Sequence, residues 1–244
     1  ISYEFALNNE YDIANDNNEE VVEILPDSIL AYNISSFQFN LYYARGLVRG
    51  RRGLIIQPYL EFSGLFSEST FSFQKAALDL RKYSEITPGL VIATRFRGGA
   101  IYYAKQDSLP ADIEYYSGGT SSVRGWGRDN LGPKRASITY DTTSSGIEQR
   151  VRYVPVGGKA FLNFNIEARQ NLNSFIRGFE IAAFLDGGQV WGSLKRLNDR
   201  PVQFGTGGGL RYNSPIGPIR IDLAYKLNPT DQDIGIYQGI NYGG

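Results

Sequence analysis

The sequence predicts an all-β chain: an antiparallel transmembrane β-barrel. Three observations predict it. Apolar and polar residues alternate with period two in segment after segment, as strands with one greasy face require. The 17 Tyr, 14 Phe and 28 Gly supply what strands and tight turns use. Short turns also alternate with long connections along the chain, the asymmetry of outer-membrane barrels.

Taken in order, the first strand is predicted over 2–7, followed by the polar loop "NNEYDIANDNNEE". In "SFQFNLYY", Phe37, Phe39, Leu41 and Tyr43 oppose Gln38, Asn40 and Tyr42. Further strands are predicted over 53–63, 70–83, 88–104 and 136–141, with two long connections at 105–135 and 142–158. In "FLNFNIEAR", Leu162, Phe164, Ile166 and Ala168 alternate with Asn163, Asn165, Glu167 and Arg169. In "RGFEIAAFLD", Phe179, Ile181, Ala183 and Leu185 oppose Glu180, Ala182 and Asp186. A strand over 202–213, the short turn "NSPIGP" and the strand "IRIDLAY" follow, the last setting Ile219, Ile221, Leu223 and Tyr225 against Arg220, Asp222 and Ala224. The total is roughly ten strands, up to twelve. Soluble sandwiches alternate too. The size of the polar-facing residues, with aromatic ends such as Tyr43 and Tyr225 on the greasy face, points instead to the girdle of a membrane barrel.

Composition narrows the chemistry. With no Cys and no His, the chain has no disulfide framework, thiolate or imidazole metal site, or imidazole base. Twenty-five basic residues balance twenty-five acidic ones, so no global charge favours nucleic acid. No apolar run approaches the roughly 18 residues of a membrane-spanning helix; the best are pieces such as "GLVIAT". The opening "ISYEFALNNE", with neither Met nor a leader, predicts a processed or excised piece.

Several constellations resemble sites. The acidic stretch Asp12 to Glu20 lacks the glycine and spacing of a calcium loop, so no metal is expected. "GTGGGLRYN" has no Gly-Lys-Ser/Thr ending and no helix after it, so it reads as a strand that another segment approaches closely. Gly205, Gly207 and Gly209 share the polar parity and leave that face nearly bare. Asp222 and Glu180 read as lumen-facing charge rather than as an acid and base pair. In "GGTSSVRGWGRDN", Arg124 lies between small residues and Trp126 in a long loop. A guanidinium so placed suggests a waiting carboxylate, and Glu167 and Asp186 both sit on the polar parity of later strands.

"GGTSSVRGW" resembles the loop motif of the BamA and TamA family of outer-membrane barrels. Three landmarks follow in that family's order: "GGKAFLNFNIEAR", "IAAFLDGGQVW" and "GGGLRYNSPIGPIRIDLAY". The resemblance covers about half the chain, from Gly118 to Leu227. It implies that Val123, Arg124, Gly125 and Trp126 form the tip of a loop folded back into the lumen, and that Arg124 pairs with Glu167 and Asp186. It further implies a bacterial-type outer membrane, or that of a derived organelle, and a role in inserting or translocating other outer-membrane proteins with no bond made or broken. Expected partners are the bilayer, client proteins and periplasmic or lipoprotein accessory subunits, with no cofactor and no nucleic acid. The alternatives are a two-partner secretion transporter, which shares the loop, and a passive channel, which has no need of it. The family's sixteen strands and periplasmic POTRA domains need more chain than 1–244, and this chain stops at "NYGG" where the family's last strand ends in an aromatic. The expectation is therefore a single transmembrane β-barrel domain over 1–244, with a long loop folded into the lumen and without the upstream POTRA domains: a fragment such as the C-terminal part of a barrel, a chain with segments missing, or a barrel that has lost its closing strand.

Overall fold

Strand follows strand in neighbouring positions with one interruption. The computed structural model describes residues 2–13, 31–48, 50–65, 69–104, 109–143, 146–214 and 217–234. Strands β1 (Ser2–Ile13), β2 (Ala31–Val48), β3 (Arg52–Ser63), β4 (Phe73–Thr87) and β5 (Leu90–Ala104) pair in sequence order. The hairpin β6 (Lys134–Thr143) and β7 (Gly146–Pro155) stands apart as a two-stranded sheet. Strand β8 (Ala160–Asn171) then resumes the main sheet beside β5, followed by β9 (Phe179–Trp191), β10 (Gln203–Ser214) and β11 (Gly217–Lys226). All pairings are antiparallel, which short local turns permit and parallel strands would not. Two short helical turns complete the order: a 3-10 turn at Leu194–Arg196 and α1 (Asp231–Ile234).

The main differences from the sequence reading are extra strand. The connection expected over 142–158 contains β7, which pairs with β6 along the whole hairpin; Ile147, Val151 and Tyr153 alternate there with Glu148, Arg150 and Arg152, a period-two pattern that the sequence reading passed over. The polar loop expected from Asn8 is strand as far as Ile13, in register with β2 through Tyr11↔Asn33 and Asp12↔Tyr32. Of the acidic stretch Asp12 to Glu20, the part 14–20 lies outside the described residues. The turn expected at 213–218 is shorter, since Ser214 already pairs with Gly217.

The connections at one end of the sheet are short: 49–51, 88–89, 172–178 and 215–216. At the other end run 64–72, 192–202 and the long excursion from β5 to β8. At that long-loop end Ile34, Phe73 and Ile101 on the strands, with Phe71 just before β4, pack against Leu109 and Ile113 of the excursion. This apolar cluster turns the loop inward. Lys75 Nζ donates to the Ile113 carbonyl at 2.6 Å and Tyr115 OH to the Ala76 carbonyl at 2.9 Å, so the loop is fastened to β4 as it enters.

The opposite face of the sheet is greasy and uncovered. Ile221 is 62% and Leu223 79% exposed, and Ile166 and Ile219 are exposed with them. Leu162 and Phe164, also expected outward, are half-buried. The Phe164 ring lies where a side chain on Gly187 would be and meets Phe204 edge-on at 5.7 Å. A charge placed on this face near the bilayer midplane costs about 2–4 kcal/mol. Ile221→Arg is therefore expected to lower the unfolding free energy of the full-length protein in lipid by that amount, read as a lower urea midpoint. An unchanged midpoint would mean that β11 does not meet hydrocarbon there.

Candidate functional site

The loop tip is a closed structure before it touches the wall. Ser117 and Leu131 form an antiparallel bridge, Leu131 N donating to the Ser117 carbonyl at 2.9 Å. Inside that bridge Gly119 N donates to the Trp126 carbonyl at 3.0 Å, and Gly118 N to Ser122 Oγ at 2.8 Å. Gly118, Gly119 and Gly125 all have φ near +100°, a region other residues avoid, so the turn that presents Arg124 depends on them. Val123 is fully buried and packs with Trp126 and Leu131 as a small apolar cluster on the inner wall. Gly188 of β9 leaves the space that Val123 occupies.

Arg124 is 6% exposed and meets three carboxylates. Its Nε and Nη2 form a fork on Asp186, at 2.6 Å to Oδ2 and 2.7 Å to Oδ1, while its backbone N donates to Oδ2 at 3.1 Å. Its Nη1 reaches Glu167 Oε2 at 2.6 Å and Asp222 Oδ2 at 3.3 Å. The guanidinium also lies over the Phe184 ring, 3.4 Å from its centroid. Burial works against this charge, but hydrogen bonds to Asp186 and Glu167 outweigh it and raise the pKa above the usual arginine value.

The strand register explains the arrangement. Across β8, β9, β10 and β11 one inward row reads Asn165, Asp186, Gly205, Lys226; the next reads Glu167, Phe184, Gly207, Ala224; the next reads Arg169, Ala182, Gly209, Asp222. The three carboxylates thus stand in three successive rows, and Arg124 lies over the middle one, on Phe184. Each glycine clears a different neighbour. A side chain on Gly205 would meet the Arg124 carbonyl and the Trp126 ring; on Gly207, the Phe184 ring and the Leu223 carbonyl; on Gly209, the Asp222 carboxylate. Of the three glycines read as a close-approach face, Gly205 meets the loop, whereas Gly207 and Gly209 make room for side chains of the adjoining strands.

The structure brings Val123, Arg124, Trp126, Glu167, Asp186 and Gly205 together. Sequence reasoning missed Asp222 as a third partner, although its inward parity was visible, and it missed Phe184, an aromatic on the polar parity of β9. It also missed the surrounding cations. Arg169 and Arg211 both reach Glu167, Arg211 Nη2 coming within 2.6 Å but off the hydrogen-bonding direction, and Arg220 Nε donates to Asp222 at 2.6 Å. On the far side, Arg95 donates from Nη1 to the Ser121 carbonyl at 3.0 Å while Asp79 holds its Nε and Nη2. Among the described residues no group of carboxylates is placed to hold a metal ion.

A second tie fastens the loop's exit. Lys134, at the start of β6, forms a buried ion pair with Asp233 of α1, whose carboxylate also accepts from Gln203 Nε2 and from Thr230 N and Oγ1. Burial raises the Asp233 pKa, but hydrogen bonds from Lys134, Thr230 and Gln203 outweigh this and hold it at about 2, below the ordinary 3.8. A depressed folded-state pKa contributes stability above the unfolded value that is lost as pH falls through the folded one. Protection of α1 from hydrogen exchange is therefore expected to hold above about pH 4 and to fall toward pH 2, and Asp233→Asn should abolish that step.

The model of the Omp85 superfamily domain matches residues 31–243. The outer membrane protein assembly factor BamA of Nitratidesulfovibrio vulgaris, strain Hildenborough, is 25% identical over 178 residues, covering 72% of this chain and 21% of that protein. The protein of the same description from Neisseria meningitidis serogroup B is 24% identical over 157 residues, covering 54% of this chain and 18% of that protein. The chain spans about a fifth of the length of these curated relatives. Among solved structures, the crystal structure of BamA from Haemophilus ducreyi lacking POTRA domains 1–3 shares the fold, with a TM-score of 0.66 at 20% identity over 83% of this chain and 41% of that one.

Proposed function

The chain belongs to the Omp85 superfamily, and from that premise we propose that it is the barrel portion of an outer-membrane protein that assembles or inserts other outer-membrane proteins. It works in the bacterial outer membrane. The observation that carries the reading is the loop tip fastened to the inner wall through Arg124, Glu167, Asp186 and Asp222. A passive channel does not require a loop tip so held against its inner wall. Its partners are the bilayer, unfolded client barrels and accessory subunits, and no bond is made or broken.

In this reading the sheet's end strands act. Among the described residues β1 and β11 are the outer members of the nine-stranded order. An end strand is a ready template for the backbone of another chain, and a client strand would add there. The loop braces the wall beside β11: Lys226 Nζ lies 5.5 Å from the Trp126 ring and Asp222 takes part in the Arg124 cluster.

The test is to place the full-length protein in liposomes and follow an unfolded client barrel to its protease-resistant, heat-modifiable form. Insertion faster than in empty liposomes is expected. Insertion at the empty-liposome rate, together with size-selective leakage of small solutes, would replace the proposal with a passive channel.

A further inference from the structure

Beside the Arg124 cluster, the wall and the loop line an open cavity of about 190 Å³ whose charge exceeds what the loop contact requires. Its lining includes Arg81 of β4, Arg95 of β5, Arg169 of β8 and Arg220 of β11, with Tyr83 and the loop's Ser121. Glu167 is the one carboxylate in that lining. The ion pairs around it join seven arginines, 81, 95, 97, 124, 169, 211 and 220, to four carboxylates, Asp79, Glu167, Asp186 and Asp222. They form two groups, three arginines on Asp79 and four on Glu167, Asp186 and Asp222, and each group carries more positive charge than negative.

The surplus is accessible. The four lining arginines outside the buried pair are 25% to 41% exposed at the side chain. Arg81 and Arg220 bond their carboxylates through Nε and Nη2 and Arg169 through Nε, which leaves Nη1 of all three without a hydrogen-bond partner among the described residues. Cations gathered at such density repel one another unless an anion lies between them.

We propose that this cavity binds a phosphate group. A carboxylate is planar and takes one fork in its own plane, whereas the guanidinium groups here converge from four strands. A tetrahedral oxyanion with oxygens in several directions suits that convergence, and its negative charge, single in a phosphodiester and higher in a free phosphate, suits the surplus. The group is supplied either as a free phosphate or as the headgroup of a phospholipid. The inference needs only the cavity and is independent of the assembly role.

The test uses the full-length protein in dodecyl maltoside without phosphate buffer, titrated by calorimetry with inorganic phosphate, with a short-chain phosphatidylglycerol and with an acidic peptide lacking phosphate. Saturable binding of at least one phosphate-bearing probe at a single site is expected, weakened about ten-fold or more in the Arg169→Gln, Arg220→Gln double variant, as loss of charge-assisted hydrogen bonds requires. Binding of inorganic phosphate assigns a free anion; binding of phosphatidylglycerol alone assigns a headgroup. Where the double variant does not fold, Arg220→Gln alone is used, since Arg220 is the most exposed of the four. The proposal is overturned if neither phosphate probe binds saturably, if binding survives these substitutions unchanged, or if the acidic peptide binds and neither phosphate probe does.

Discussion

Arg124→Ala is expected to lower the stability of the full-length protein in lipid by about 3–5 kcal/mol, the cost of leaving a buried charge without its partner. Water in the lumen brings the figure toward the lower end. The three carboxylates do not share the loss equally. Glu167 keeps Arg169 and Arg211, and Asp222 keeps Arg220, but among the described residues Asp186 has Arg124 as its only charged partner and is 0% exposed. Asp186→Ala should therefore cost more than Glu167→Ala, and Asp222→Ala least. Arg124→Lys should recover only part of the loss, because an ammonium cannot form the fork on Asp186 while lying flat over Phe184. Urea unfolding followed by heat-modifiable mobility measures all five. Equal costs at the three carboxylates would mean that the cluster acts as a diffuse charge field rather than through the fork.

The second large effect is expected at Gly205, where even a methyl group would run into the Arg124 carbonyl. The clashing atoms are the Arg124 backbone with the Trp126 ring beside them, so only a shift of the loop tip itself relieves the contact, and overpacking of this kind costs about 1–3 kcal/mol or more. Gly205→Val should push the loop tip off the wall. Arg128, on the exposed side of the tip, should then be cut faster by trypsin in the folded protein. Gly208→Ala is the control, since a methyl there meets only the Ala182 carbonyl at 3.3 Å. Equal trypsin rates in the two variants would show that Gly205 does not hold the loop.

The parts of the fold that depend on side-chain alternation were legible in the sequence. Ile219, Ile221 and Leu223 opposite Arg220 and Asp222 show which face of β11 is greasy, and the same parity turns Glu167 and Asp186 inward toward Arg124. What parity cannot give is the row. Asp222 joins the cluster because the registers of β9 with β10 and of β10 with β11 set it one row from Phe184, and register depends on turns and pairings distant from the residue itself. Backbone pairing also extends strands past their pattern, as at the end of β1, where Asn8, Asn9, Glu10 and Asp12 occupy paired positions, whereas β7 keeps a period-two pattern of its own. The glycines were legible as bare ground, but which neighbour fills each one follows only from the packed structure.

The most direct test is a double-mutant cycle on Arg124 and Asp186, measured by urea unfolding of the full-length protein in lipid. If the fork holds the loop to the wall, removing both partners should cost less than the two single losses together, with a coupling on the order of 2–3 kcal/mol. Costs that add to within about 0.5 kcal/mol would contradict the account and make Arg124 a loop residue with no specific hold on the barrel.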